Sequence, residues 1–220
     1  MTKVWGRAGS SSVQKVVWTL AELGVEYERV DAGFGYGVTD TPAYLALNPN
    51  GTVPTLEEPD GFVLFESNTI VRYLARRYGQ GSLAPGDDRE YARSEKWMDW
   101  ASIGLESSLS PLWVRHLLKN YPAFAAQSPA LAARHASESD DKLIGAVVRW
   151  FEVLSAALPP KGYLLGDRLT IGDVPVGQLV SRWYKLPIEH PSLPRIRAYF
   201  ELLSTRPAYR DHVVAARALT

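Results

Sequence analysis

A chain of 220 residues with 24 basic and 24 acidic side chains is long enough for one large or two small domains, and its charge balance excludes a surface built for nucleic acid or an anionic membrane. The balance holds along the chain: 7 basic against 9 acidic residues through Gln80 leave 17 against 15 afterwards. The absence of cysteine excludes disulfides, thiolate metal sites and a protein thiol nucleophile, so any thiol chemistry must use a borrowed thiol. His116, His135, His190 and His212 lack an HxxxH or HExxH spacing, which argues against a metal site. Lys3 and Arg7 flank only a short apolar patch, and no run approaches the ~20 apolar residues of a membrane span. A cytoplasmic protein without a signal peptide is expected.

Lys3 to Gly6 reads as a short strand, followed by the small-residue loop Arg7-Ala8-Gly9-Ser10-Ser11-Ser12. Val13, Val16, Val17, Leu20 and Leu23 share one face of the next helix, with Gly24 as its C′ residue. Val25 to Val30 supplies a second strand, and the order strand, helix, strand predicts a right-handed parallel unit. Gly33-Phe34-Gly35-Tyr36-Gly37 reads as a mobile surface loop rather than a phosphate cradle. Thr41-Pro42 opens a short helix that Asn48-Pro49 closes. Val53 to Glu57 and Phe62 to Phe65 form a hairpin around Glu58-Pro59-Asp60-Gly61. Ser67 stands where an N-cap belongs, and Ile70, Val71 and Leu74 recur at helical spacing up to Arg76, Arg77 and Gly79. The order is βαβαββα.

Gln80 to Asp88 has linker composition, which divides the chain into residues 1–80 and 88–220. Beyond it the pattern is helical. A long helix from Arg89 to about Leu118 should kink at Pro111, and Ser128-Pro129 caps a second that runs to about Leu158. Two long helices side by side predict a bundle. Thr170 and Asp173 form a capping-box variant with Leu169 and Val174 as a hydrophobic staple, and Pro175 just beyond should distort the first turn. Two short helices follow, from Ser192 to Leu203 and from Arg206-Pro207 onward.

The chemistry concentrates at the helix start Glu66-Ser67. Unpaired N–H groups there, beside a hydroxyl and an acid, suit a small carboxylate. Val53-Pro54 opens a strand whose proline cannot donate to a central ladder, so that edge is open to an added extended peptide. The stretches NPNGTVP at 48–54 and ESNTIVRYL at 66–74 resemble the glutathione-binding half of cytosolic glutathione transferases, nearest to bacterial members with a serine or threonine at the first helix. That resemblance implies an α/β thioredoxin-like N-terminal domain and an all-α C-terminal bundle, with a cis bond at Val53-Pro54. It implies that Ser67 and the N–H groups bind the γ-glutamyl carboxylate, Glu66 its ammonium and the Val53 backbone the cysteinyl amide. Thr52 stands where the family often has Lys or Gln for the glycyl carboxylate. One of Ser10, Ser12 and Ser11, in that order of preference, would donate its hydroxyl to the cofactor sulfur. Trp113, Arg115, His116 and Tyr36 are candidates for the second substrate.

The resemblance points to an enzyme that conjugates glutathione to small apolar electrophiles in detoxification, without a metal and as a homodimer joined through the 70–78 helix and the helix after Asp88. The alternatives are glutathione-dependent disulfide reduction on the same fold and a non-catalytic glutathione-fold binding protein.

Overall fold

The computed structural model describes residues 1–127, 130 and 139–216. Strands β1 (Thr2–Trp5), β2 (Tyr27–Val30), β3 (Thr55–Glu57) and β4 (Val63–Phe65) form one sheet in the order β2-β1-β3-β4, with β1 and β2 parallel and the other pairs antiparallel. Register sets the layers. Val4 pairs with Leu56 and Leu56 with Leu64, and these residues pack against α1 (Ser11–Glu22) and α3 (Ser67–Tyr78) through Val13, Val16, Leu20, Ile70 and Leu74. Trp5 and Thr55 alternate to the other face, where α2 (Pro42–Leu47) places the Tyr44 ring 5.9 Å from Trp5 and its hydroxyl 2.9 Å from Thr55 Oγ1. The strand expected from Val53 begins only at Thr55, because Pro54 has no N–H for the ladder.

The remainder is helical: α4 (Asp88–Trp100), a π-helical segment (Ala101–Leu105), α5 (Glu106–Asn120), α6 (Pro122–Gln127), α7 (Asp140–Ala157), α8 (Asp173–Tyr184), α9 (Pro194–Ser204), α10 (Pro207–Tyr209) and a second π segment (Arg210–Val214). The long helix after the linker is interrupted at residues 101–105 and not at Pro111, which sits inside α5. The physical reason is close packing at Gly104: a Cβ there would lie 2.3 Å from the Trp150 indole of α7, so the glycine lets that ring rest on the wide turn. The expected cap at Ser128-Pro129 lies outside the described residues. The described helix α7 is capped by Ser139, whose Oγ accepts from the Lys142 N–H at 3.4 Å. The linker is not a loose tether. Leu83, Ala84 and Pro85 are buried, and Leu83 O accepts from Ile171 N at 3.0 Å.

Helix α8 is buried along nearly its whole length. Its approach turn is held by Asp173, whose Oδ2 accepts from Thr170 N (2.8 Å) and Oγ1 (3.0 Å) while Oδ1 accepts from Leu164 N (2.9 Å) and the Tyr199 hydroxyl (2.8 Å). The expected reach-back from Asp173 to Thr170 N is present, but the helix begins at Asp173 with Gly172, not Thr170, as its N-cap, and the Thr170 hydroxyl donates to the carboxylate instead of accepting from the helix. Pro175 falls in the first turn of α8, where its missing N–H would be an unpaired donor anyway, so the helix runs on without distortion. The two parts share a core: the rings of Trp18 of α1 and Tyr209 pack at a tilt with centroids 4.7 Å apart, and Gly177 leaves room beside them, since a Cβ there would be 2.7 Å from Leu203 and 3.1 Å from Trp18.

Candidate active site

The sheet register brings three chain segments to one end. Trp5, Thr55 and Phe65 lie side by side across β1, β3 and β4. The next residue along each chain, Gly6, Pro54 and Glu66, therefore opens onto the same edge. Val53 closes the first gap: a Cβ on Gly6 would lie 3.1 Å from Val53 Cβ and 2.4 Å from Val13 Cγ2, so only glycine, here at φ 146°, fits that junction. Strands lie about 4.8 Å apart, so β1 to β4 spans about 10 Å. An extended tripeptide is also about 10 Å long.

The Val53-Pro54 bond is cis. Val53 precedes the β3 ladder, so its backbone groups lie outside the register that begins at Thr55. Behind it, the Thr52 carbonyl is fixed by the Tyr44 hydroxyl at 2.6 Å and by Asn48 Nδ2 at 2.9 Å, while Thr52 itself is exposed. Burial raises the Tyr44 pKa, so the phenol stays a donor to that carbonyl.

At α3 the expected cap is displaced by one residue. Glu66, not Ser67, occupies the N-cap, and Ser67 is the first helical residue and is buried. Glu66 has φ 70° and ψ 107°, a conformation uncommon for a side-chain-bearing residue, and its carboxylate makes no cap hydrogen bond. Its side chain is exposed and free of the helix it precedes. Asn68 anchors the turn from behind: its Oδ1 accepts from Lys15 Nζ at 3.2 Å and its Nδ2 donates to Ser102 Oγ at 2.8 Å. Burial lowers the Lys15 pKa, while Glu106 and Glu66 favour its charged form and Arg182 opposes it.

Ser10 sits at the N-cap of α1 in an extended conformation, half-buried, and its hydroxyl makes no cap hydrogen bond although serine is among the strongest capping residues. Ser11 is engaged: its Oγ accepts from Arg182 Nη2 of α8. Ser12 lies half-buried in the first turn. The loop's electropositive helix start is reinforced by the buried cations Lys15 and Arg182.

The second-substrate candidates separate. Trp113 lines a cavity of about 20 Å³ with Ser11, Gln14, Gln178, Arg182 and Lys185, room for about one water molecule. Arg115 and His116 instead line a groove of about 660 Å³ with Leu186, Pro187 and Ile188, and Arg115 pairs with Asp140 at 2.9 Å. Tyr36 is exposed at the tip of the glycine loop. That loop is a tight turn closed by Gly33 N to Gly37 O at 2.9 Å, and Phe34 is the residue that crosses to the helical part, 5.3 Å from Phe124 of α6 with Arg7 over its ring. Sequence reasoning missed Lys15, Phe34, Asn68 and Arg182. The available signal was polar residues on apolar helix faces: Gln14 and Lys15 among valines, and Gln178 and Arg182 four apart in α8. Among the described residues no group of His, Asp or Glu is placed to hold a metal ion, and no helix is long and apolar enough to cross a membrane.

Residues 1–76 match the family model of the glutathione S-transferase N-terminal domain. The chain is 33% identical over 215 residues to Glutathione S-transferase GstB of Escherichia coli (strain K12), covering 97% of this chain and 98% of that one. It is 30% identical to Glutathione S-transferase 3 of Zea mays over 217 residues, 97% and 93% of the two chains. Among solved structures, the theta class glutathione S-transferase of Xanthomonas axonopodis pv. citri with glutathione bound superposes with a TM-score of 0.81 at 37% identity, covering 100% and 99% of the chains.

Proposed function

The chain belongs to the glutathione S-transferase family, and from that premise we propose how its own residues act on glutathione, the co-substrate of this transferase. Residues 1–80 hold the tripeptide across the strand ends, and residues 88–220 supply the side that receives the electrophile. Ser67 and the open N–H groups of α3 bind the γ-glutamyl carboxylate, Glu66 the ammonium, and the Val53 backbone the cysteinyl amide, with Pro54 and Thr52 shaping that edge. The thiol then lies at the start of α1. There Ser10 donates a hydrogen bond that favours thiolate over thiol, with Ser12 and Ser11 as lesser donors. A free thiol titrates near ~8.5, so each unit of depression near pH 7 multiplies the reactive fraction several-fold.

The observation that supports this most is that two helix starts facing one sheet end leave a good capping side chain, Ser10, and an exposed acid beside a helix N-terminus, Glu66, without a bond to the helix. Such groups are available to a ligand. The expected outcome is retention on immobilised glutathione with turnover of an activated aryl halide that exceeds turnover of a small disulfide. The reverse ratio would favour reduction, and retention without either activity would sink the catalytic role of the serine loop.

We also propose a cytoplasmic, detoxifying homodimer acting on small apolar electrophiles. Its interface would run along α3 and α4, where Arg72 pairs with Glu95 at 2.8 Å and Asp99 at 2.7 Å, and over the neighbouring Ile103, which is 77% exposed. Sedimentation giving 24.4 kDa, the mass of one chain, at micromolar concentration would contradict the dimer.

A further inference from the structure

Arg182 belongs to α8 in the helical part, yet its guanidinium reaches the first turn of α1, 171 residues away in sequence. Its side chain is 8% exposed. Nη2 donates to Ser11 Oγ, Nη1 lies 3.9 Å from Glu106 Oε1, and the guanidinium carbon is 5.6 Å from the centre of the Trp113 ring. A carboxylate at 3.9 Å is at the outer limit of an ion pair, so the buried charge is only partly neutralised. The charged groups that bear on this site are Glu106 of α5, Lys15 of α1, Lys185 at the end of α8 and, through Lys15, Glu66 at the start of α3. With Arg182 itself, three cations stand against two carboxylates. Burial lowers the pKa of Arg182, but a guanidinium starts so high that it remains charged at neutral pH. A guanidinium has no acceptor atom, so Ser11 Oγ must accept, and the Ser11 proton is turned away from Arg182.

We propose that Arg182 is a positioning residue for the thiol chemistry: it fixes Ser11 with its proton directed into the serine loop and holds there the positive potential in which the glutathione thiolate forms. The helical part thereby sets the reactivity of a thiol that the other part binds. The proposal rests on the reading of the serine loop as the thiol site. A residue that merely clipped the two parts together would affect stability and leave the thiol's titration where it was.

The test is a thiolate absorbance titration of bound glutathione, with the pH dependence of kcat/KM for an aryl halide, in Arg182→Met, Arg182→Lys and the three serine-to-alanine variants. Arg182→Met keeps the apolar stem and removes the charge. It should raise the thiol's titration by about one unit, which is roughly tenfold less thiolate below pH 7. Turnover should fall by about the same factor at low pH and recover at high pH, with KM for glutathione within about twofold. Arg182→Lys should fall between Met and wild type. Serine variants that shift while Arg182→Met does not would overturn the role of Arg182 alone, whereas no shift in any serine variant would overturn the thiol-site reading beneath it. Should Arg182→Met fail to fold, Glu106→Gln gives the opposite arm: it leaves Arg182 less neutralised and should lower the thiol's titration, and an unmoved curve there overturns the proposal.

Discussion

Helix α8 begins with its donors and acceptors matched inside the core, whereas α1 and α3 begin with theirs open. At α8 one fully buried carboxylate accepts four hydrogen bonds, and Ser94 Oγ accepts from Gly172 N at 3.0 Å. At α1 and α3 the N-cap side chains of Ser10 and Glu66 bond to no helix N–H. Ser94 is bonded at one start, and Ser10, the same residue type, bonds no helix N–H at the other, so composition does not explain the contrast. Position does. The start of α8 is inside the protein, where a stranded polar group costs free energy, while α1 and α3 open onto the end of the sheet, where a ligand can complete them.

The largest expected effect breaks the matched start. Asp173→Ala strands Thr170 N, Leu164 N and the Tyr199 hydroxyl in a buried turn. At about 1–3 kcal/mol for each such group, partly relieved by rearrangement, the loss should be roughly 3–5 kcal/mol. Thermal unfolding followed by circular dichroism should show the midpoint falling by about 10 °C or more. A change of about 2 °C would mean that this turn is not a folding element, and the contrast would fail on that side.

The open start should respond in binding, with stability changing only through the backbone conformation at Glu66. Glu66→Ala and Ser67→Ala should each weaken glutathione binding by about 1.5–3 kcal/mol, the range of a charge-assisted hydrogen bond. Calorimetric titration checks this, and unchanged affinity in both would remove the α3 start from the peptide site. A smaller effect sharpens the point: Glu66→Gly should lose the same affinity yet be more stable than Glu66→Ala by about 1 kcal/mol, because glycine adopts φ 70° without a Cβ clash. Equal stability of the two would show that the strained backbone at Glu66 has no energetic consequence.

What was legible in the sequence follows the same division. The βαβαββα order, the hairpin about Glu58 to Gly61, the cis bond at Val53-Pro54 and the bonding of Asp173 back to Thr170 all rest on residues close in sequence, where proline, capping residues and strand alternation act locally. The cap of α3 missed by one residue because the left-handed backbone at Glu66, and not serine's preference, decides where that helix begins. Pro111 is the strongest local breaker in its helix, yet the irregularity lies at Gly104, set by Trp150 from another helix. Lys15 bonding to Asn68 and Arg182 bonding to Ser11 join residues 53 and 171 positions apart. No local pattern encodes such pairs, although polar residues on the apolar faces of α1 and α8 mark where to look.

The central claim is that the start of α1 polarises a thiol that the start of α3 helps to bind. It is tested most directly by titrating the thiolate absorbance of glutathione bound to wild type, Ser10→Ala and Ser12→Ala. Loss of one hydrogen bond to the thiolate should raise its apparent pKa by about one or two units in Ser10→Ala and reduce turnover roughly ten- to a hundredfold with affinity nearly kept, and Ser12→Ala should shift less. An unshifted curve for Ser10→Ala beside a shifted one for Ser12→Ala would contradict the account.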